Sequence, residues 1–240
     1  MEKKHQVHNL IILDESGSME PIKTTIIQGF NELVQTIQGI EKQFPEQEHF
    51  ISFLSFNGLG HKMLHFIDPV SKLKHIDDKT YKPDASTPLF DAMGFSINKL
   101  KQSLQEQSDY NVLVTILTDG EENASIEFSG NDIKKLVEEL KQNRWTFTYI
   151  GTDHDVEKIA ASLSINNTMV FEKNEAGIKK MFMEEQSARA KYSNKIRFNE
   201  DTSSNYFEDN GHEKKIKTAT NSSTLPKAGR SWWQKLFGSE

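Results

Sequence analysis

The residues best suited to chemistry lie in one short stretch near the start of the chain. Residues 10–18 read LIILDESGS, an apolar run that ends in one carboxylate and two hydroxyls, at Asp14, Ser16 and Ser18. Oxygen ligands without histidine or cysteine suit a hard cation such as Mg²⁺, Ca²⁺ or Mn²⁺. Because the apolar run is typical of a buried strand, these side chains follow its carboxyl end, where open α/β sheets place their sites. The pattern therefore predicts a metal site.

Two later segments place similar side chains beside predicted elements. Residues 112–117, VLVTIL, are uniformly apolar, as expected of a central strand covered on both faces, and Asp119 follows them. Thr87 precedes Pro88, which suits the first position of a helix. Taken singly, Thr87 is explained as a helix cap and Asp119-Gly120 as an ordinary turn. Asp14 and its serines could likewise form only a helix-capping loop.

The elements that must position these residues alternate along residues 7–191. Around Asn57-Gly58, a strong turn signal, two strand-like runs favour a hairpin. The alternation predicts an α/β fold, with a mostly parallel sheet of about six strands, helices around it and one antiparallel edge strand. The other strand-like runs are 112–117, 145–150 and 168–171, and the helix-like runs are 22–44, 88–104, 133–140, 156–163 and 176–191.

Together the three sites resemble the metal-ion-dependent adhesion site of the von Willebrand factor A (vWA) family. The family pattern is D-x-S-x-S after the first strand, a Thr in a mid-chain loop and an Asp after the fourth strand. The resemblance covers about residues 5–190 and implies a Rossmann-like three-layer sandwich. The sequence segments ILDESGSM, STPLFDA and LTDGEEN look most like those of stand-alone bacterial vWA proteins of the tellurite-resistance and stress-associated group. The matching residues are Asp14, Ser16, Ser18, Thr87 and Asp119.

The resemblance implies binding rather than catalysis. Ser16 and Ser18 would bind a divalent cation directly, the two aspartates directly or through water, and Thr87 in either way. Mg²⁺ is the expected ion, with Mn²⁺ and Ca²⁺ as alternatives. In the family, an Asp or Glu carboxylate of a protein partner completes the coordination. We therefore expect metal-dependent protein–protein recognition in the bacterial cytoplasm, in a stress-response or phage-related system.

Two alternatives remain open at this point. The first is a Mg²⁺-dependent phosphatase that uses Asp14 as its nucleophile. Such enzymes carry D-x-D near the first strand, whereas this chain has Ser16 at the second position, and a hydroxyl cannot act as a general acid at neutral pH. The second alternative is a scaffold that binds no metal. The neighbouring acids Glu15, Glu121 and Glu122 are interpreted as solvated, and Asp91 as facing solvent or touching a ligand.

Composition excludes several other classes of protein. The 240 residues carry a formal net charge of -6, which argues against nucleic-acid binding because such proteins normally present a basic face. The absence of cysteine excludes disulfides and thiolate zinc sites. The first apolar run is too short for a signal peptide, and no run reaches the ~20 residues of a membrane span. We expect a soluble cytoplasmic protein.

The composition of the chain changes after about Tyr192. Polar residues dominate residues 192–230 and periodicity is lost, which predicts a disordered linker after a vWA domain of residues 5–191. Residues 231–240 then form a small aromatic segment, and a short helix could present its apolar side chains together. We expect it to dock onto a second partner or a membrane surface. Its apolar residues are Trp232, Trp233, Leu236 and Phe237.

Overall fold

The apolar runs of the sequence form the strands of one sheet. The computed structural model describes residues 4–152 and 155–208. Its strands are β1 (His5–Asp14), β2 (Gln47–Asn57), β3 (Gly60–Pro69), β4 (Tyr110–Leu117), β5 (Trp145–Thr152) and β6 (Asn167–Phe171). Its α-helices are α1 (Lys23–Gln43), α2 (Leu89–Ser103), α3 (Gly130–Lys141), α4 (Val156–Ser162) and α5 (Glu175–Arg197), with 3₁₀ turns at Gly17–Ile22 and Val70–Lys72. None of these helices is long and apolar enough to cross a membrane.

The strand order β3-β2-β1-β4-β5-β6 confirms the predicted fold class. All neighbouring strands are parallel except β2 and β3, which form the predicted antiparallel edge. Strands β2 and β3 meet at the predicted turn, where Asn57 Oδ1 accepts a 3.0 Å hydrogen bond from the Leu59 amide. Because β1 and β4 are adjacent and parallel, with Leu13 opposite Leu117, the residues that follow both strands lie at the same edge of the sheet.

The core lies on both faces of the sheet because the buried strands alternate their side chains. In β1, Leu10 and Ile12 pack with α2, α3 and α4 on one face. Ile11 and Leu13 pack with α1 and α5 on the other face. A strand covered on both sides cannot shift its register without exposing apolar groups to water or burying polar ones. The sheet therefore holds the loops at its carboxyl edge in fixed positions.

Packed structure continues beyond residue 191, where the sequence placed the start of a disordered linker. Helix α5 extends to Arg197, and residues 198–208 turn back onto the sheet. Asn167 Nδ2 donates to the Ser203 carbonyl at 3.1 Å, Thr146 donates to the Thr202 carbonyl at 2.9 Å, and Tyr206 is buried. The domain boundary predicted at 191 is thus too early. The remainder of the predicted linker, 209–230, and the segment 231–240 lie outside the described residues.

An ion pair is buried between α5 and the centre of the sheet. The Arg189 guanidinium contacts the Glu185 carboxylate at 2.6 Å and also donates to Asn9 Oδ1 at 2.7 Å and Thr115 Oγ1 at 2.8 Å. Tyr206 donates a further hydrogen bond to Glu185 at 3.2 Å. These contacts satisfy most of the hydrogen-bonding capacity of two charges that water does not reach. They tie α5 and the segment after it to β1 and β4.

Candidate metal centre

The loop after β1 turns sharply around the side chain of Asp14. The Ser16 amide donates a 2.7 Å hydrogen bond to Asp14 Oδ1, and buried Met19 and Ile22 anchor the 3₁₀ turn that follows. The Tyr81 hydroxyl donates to the Asp14 carbonyl at 2.7 Å, so a second loop holds the end of the strand. These contacts fix the Asp14 carboxylate at the carboxyl edge of the sheet.

Hydroxyl groups connect the two predicted aspartate ligands. Ser16 Oγ and Ser18 Oγ lie 3.0 Å apart, and Ser18 donates to Asp119 Oδ1 at 2.6 Å. On the other side, the Thr118 hydroxyl donates to Asp14 Oδ2 at 2.6 Å. The structure thus brings the D-x-S-x-S loop and the residues after β4 together. The sequence analysis did not assign a role to Thr118, although this residue lies between β4 and the predicted ligand Asp119.

Thr87 joins this group from a third loop, beside Gly120. A Cβ placed on Gly120 would lie 3.3 Å from Thr87 Oγ1, 3.4 Å from Ser18 Oγ and 4.0 Å from Asp14 Oδ2. Three predicted ligand oxygens, two from the loop after β1 and one from the loop that carries Thr87, therefore surround one small space beside Gly120. Asn123 holds Thr87 in place, since its Oδ1 accepts from the Thr87 amide at 2.8 Å and its own amide donates to the Thr87 carbonyl at 3.2 Å.

The centre carries two buried carboxylates. Burial raises the pKa of Asp14 to about 6, although hydrogen bonds from Thr118 and Ser16 oppose this shift and the nearby charge of Asp119 adds to it. The Asp119 side chain is also fully buried. Two like charges in a buried position are unfavourable unless a cation neutralises them.

Lys173 supplies one positive charge to this centre. It lies just after β6, and its Nζ is 2.5 Å from Asp119 Oδ2. Among the described residues, that oxygen is buried without a hydrogen-bond partner, so the contact with Lys173 is an ion pair. The sequence analysis missed Lys173, although the end of a parallel strand is a position where site residues are expected.

The donor atoms of the centre fit a hard divalent cation. They are all oxygens, from two carboxylates and three hydroxyls, and Asp119 Oδ2 forms no hydrogen bond within the described structure. Across residues 4–152 and 155–208, no three His, Cys, Asp or Glu side chains converge, so a metal bound there would depend on the hydroxyls. The residues that would hold it are Asp14, Ser16, Ser18, Thr87 and Asp119.

Glu15 is buried, which contradicts its interpretation as a solvated acid. Its Oε1 accepts hydrogen bonds from the Lys82 amide at 2.5 Å and from Lys62 Nζ at 2.7 Å. Its carbonyl accepts from the Asp84 amide at 3.0 Å. Glu15 therefore fixes the loop that leads to Thr87, rather than facing water.

Asp91 and Glu122 hold the loop after Asp119 in the same manner. Asp91 accepts three backbone hydrogen bonds, from the amides of residues 126–128, at 2.8 to 2.9 Å. Glu122 accepts from the amides of Phe90, Ala124 and Ser125 at 2.7 to 2.8 Å. The interpretation of Glu122 as a solvated acid is therefore wrong, whereas Glu121 is exposed as expected. Asp91, expected to face solvent or to touch a ligand, instead accepts backbone hydrogen bonds. These contacts fix the mutual positions of the loops that carry Thr87 and Asp119.

Comparison with known proteins identifies one family. The model of the von Willebrand factor type A domain matches residues 10–196, which include every residue of the candidate centre. No curated protein matches the chain.

Several solved structures share the fold. The PilB minor pilin from Streptococcus sanguinis, solved as a mutant, has a TM-score of 0.54 at 12% identity, over 82% of this chain and 64% of that one. The open conformation of the pilus adhesin SpaC from Lactobacillus rhamnosus GG has a TM-score of 0.56 at 12% identity, over 79% and 30%. Proximal thread matrix protein 1 from the mussel byssus has a TM-score of 0.51 at 14% identity, over 78% and 47%. The chain thus spans less than two thirds of each of these proteins.

Proposed function

Because this chain belongs to the von Willebrand factor type A domain family, we propose that it is a protein-interaction module that binds a partner carboxylate through a divalent cation. Domains of this family are generally metal-dependent adhesion or interaction modules. The observation that carries the proposal is the convergence of Thr87 Oγ1, Ser18 Oγ and an Asp14 oxygen around Gly120. The proposed ion is Mg²⁺, with Mn²⁺ and Ca²⁺ as alternatives.

The residues of the centre are suited to this binding chemistry. When bound, a divalent cation supplies an electrophilic position that attracts an anionic oxygen. The hydroxyls of Ser16, Ser18 and Thr87 donate oxygen without adding negative charge, so the two aspartates balance a divalent ion and do not repel a further carboxylate. The exposed position of Ser18 leaves this side of the centre accessible to a partner.

A titration of Mg²⁺ and Mn²⁺ into chelator-treated protein tests the metal site. We expect binding by the wild type and its loss in Asp119→Asn, which keeps the shape of the side chain but removes its charge. Glu121→Gln is the matched control, since it removes one exposed acid two residues away. Equal binding by Asp119→Asn and the wild type would contradict the assigned site.

A second experiment tests the partner. Immobilised wild type and Asp119→Asn are compared for retained proteins in Mg²⁺, in EDTA, and in EDTA followed by excess Mg²⁺. The proposal requires partners that the wild type retains, that EDTA releases and that Mg²⁺ restores. Partners held equally in EDTA would favour the metal-free scaffold instead.

Catalysis by Asp14 has less support than metal-dependent binding of a partner. Its Oδ1 accepts from the Ser16 amide and its Oδ2 from Thr118, so both oxygens are engaged, and no second aspartate stands at position 16. We therefore propose no enzymatic activity. Turnover of p-nitrophenyl phosphate by the Mg²⁺-loaded protein, abolished in Asp14→Asn, would reverse this conclusion.

The wider setting is proposed from the sequence resemblance. We propose a bacterial cytoplasmic protein of a stress-response system, in which residues 231–240 dock onto a second partner or a membrane surface. The support for the docking segment is its composition, with Trp232, Trp233, Leu236 and Phe237 close to one another in the sequence. Pull-downs with and without residues 231–240 test it, because a partner of this segment would be lost on deletion without any effect of EDTA.

A further inference from the structure

Lys173 contacts the candidate metal centre from a position just after a distant strand of the sheet. It follows β6, which is separated from β4 by β5, yet its ammonium reaches Asp119 after β4. The contact distance of 2.5 Å joins Nζ to the one oxygen of Asp119 that accepts no hydrogen bond among the described residues. The other oxygen, Oδ1, accepts from Ser18. Both oxygens of this predicted ligand are therefore engaged within the protein.

The charges of the centre explain why a lysine is useful there. Asp14 and Asp119 together bring two negative charges into a buried space, and no second cationic side chain contacts Asp119 in the described structure. The ammonium of Lys173 offsets one of these charges. The two carboxylates can therefore stay buried when no metal ion is present. The Lys173 side chain is 35% exposed, which gives its flexible stem a route towards solvent.

A lysine and a divalent cation on the same carboxylate repel each other. We propose that Lys173 is an internal competitor of the metal ion: its ammonium holds Asp119 in the ion-free protein and leaves Oδ2 when a cation binds. This proposal rests on the metal site of the proposed function. In this role, Lys173 sets the concentration of free cation at which the centre becomes occupied.

The test compares Mn²⁺ affinity, measured by calorimetric titration, in the wild type and Lys173→Met. Methionine keeps an unbranched stem and removes the charge. We expect Lys173→Met to bind Mn²⁺ at least about tenfold more tightly, because the competing charge is gone. Lys173→Arg retains a cation and should stay close to the wild type.

Lys62→Met is the matched control for loss of a nearby positive charge. Lys62 also pairs with a buried carboxylate in the first loop, that of Glu15, but this acid is not one of the assigned ligands. We expect its Mn²⁺ affinity to change less than about threefold. An equal gain in Lys62→Met and Lys173→Met would overturn the proposal, since it would reflect general charge rather than competition.

Thermal unfolding in EDTA gives a readout that does not depend on metal affinity. The wild type should melt at a higher temperature in EDTA than Lys173→Met, and saturating Mn²⁺ should raise the melting temperature of the variant more.

The binding titration separates this inference from the proposed function. If the wild type binds Mn²⁺ and Lys173→Met binds it equally, Lys173 forms only a static ion pair and only this inference fails. If neither protein binds Mn²⁺, the metal-dependent function fails as well.

Discussion

Ser18 and Asp119, 101 residues apart in the chain, are joined by a 2.6 Å hydrogen bond from the Ser18 hydroxyl to Asp119 Oδ1. The distance is that of a charge-assisted bond to a carboxylate. A hydroxyl that donates its proton to one group still has lone pairs for a cation. The bond therefore orients the aspartate and the serine relative to each other before any ion arrives.

Ser18→Ala should weaken Mn²⁺ binding at least about tenfold, because the centre loses one oxygen donor and Asp119 loses its orienting hydrogen bond. Since Ser18 is exposed, water can replace that bond, and we expect the free energy of unfolding to fall by less than about 1 kcal/mol. Calorimetric titration and urea denaturation measure the two quantities. Ser103→Ala, at the exposed end of α2, is the control and should change neither. Unaltered Mn²⁺ affinity in Ser18→Ala would remove this hydroxyl from the ligand set.

Gly120→Ala should weaken metal binding because the added methyl group occupies space in the centre, without changing any charge. The added methyl would lie 3.3 Å from Thr87 Oγ1 and 3.4 Å from Ser18 Oγ, closer than most side-chain contacts. We expect Mn²⁺ affinity to fall by about tenfold or more while the domain stays folded. Gly39→Ala in α1 has nothing within 4 Å of its new Cβ, so it should leave the affinity unchanged and stabilise the helix by about 0.5–1 kcal/mol. Equal affinities in the two variants would show that the space beside Gly120 is not the binding site.

The fold class followed from local patterns in the sequence, and so did the positions of Asp14 and Asp119 at strand ends, whereas Thr87 joined the predicted ligands only through the family resemblance. Each apolar run that ends in a polar residue marks a strand end, and parallel strands bring those ends to one edge. The roles of Glu15 and Asp91 could not be predicted in this way. Each accepts backbone hydrogen bonds from a loop distant in sequence, and in a sequence such an acid looks the same as a solvated one.

Lys173 and the pair formed by Glu185 and Arg189 show the same limit. A lysine before a helix is ordinarily a surface residue, and a Glu–Arg pair four residues apart ordinarily lies on an exposed helix face. Only the tertiary packing of α5 on β1 and β4 places the pair in the core. The segment after α5 was misjudged because Tyr206 and Phe207 form an isolated aromatic pair among polar residues, without any periodic pattern.

His8→Phe should flatten the dependence of stability on pH. Burial lowers the pKa of His8 to about 4, whereas the unfolded chain has the ordinary value of about 6.5. Between these values the unfolded chain binds more protons, so this side chain makes the protein less stable as the pH falls from 6.5 towards 4.

Urea denaturation of both proteins at pH 7 and pH 5 measures this effect. We expect the wild type to lose about 2 kcal/mol more than His8→Phe between the two pH values. Phenylalanine suits the position because His8 already stacks on Phe50 with ring centroids 5.1 Å apart. Asp14, whose pKa is raised to about 6, acts in the opposite direction, but it is present in both proteins and cancels in the comparison. Parallel pH profiles would contradict the prediction.

Glu185→Leu should lower the free energy of unfolding by about 3–5 kcal/mol, because it leaves the charge of Arg189 buried without its partner. Glu184→Leu is the matched control on the same helix. Its ion pair with Lys180 is exposed, with a contact distance of 3.7 Å, and such pairs contribute little. We expect a change below about 1 kcal/mol for the control. Similar losses in the two variants would mean that the buried pair has no special importance for stability.

Tyr206→Ala tests whether the segment after α5 belongs to the folded domain. The ring of Tyr206 is 4% exposed and packs against Tyr192 and Phe207, its hydroxyl donates to Glu185, and its amide donates to Asn167 Oδ1 at 3.0 Å. Truncation would leave a cavity and remove one hydrogen bond from a buried carboxylate, so we expect a loss of about 3 kcal/mol in urea denaturation. Phe198, in the same segment, is 61% exposed, and Phe198→Ala should cost less than about 0.5 kcal/mol. If both variants unfold like the wild type, residues 198–208 contribute nothing to the fold and the earlier boundary near 191 is the better one.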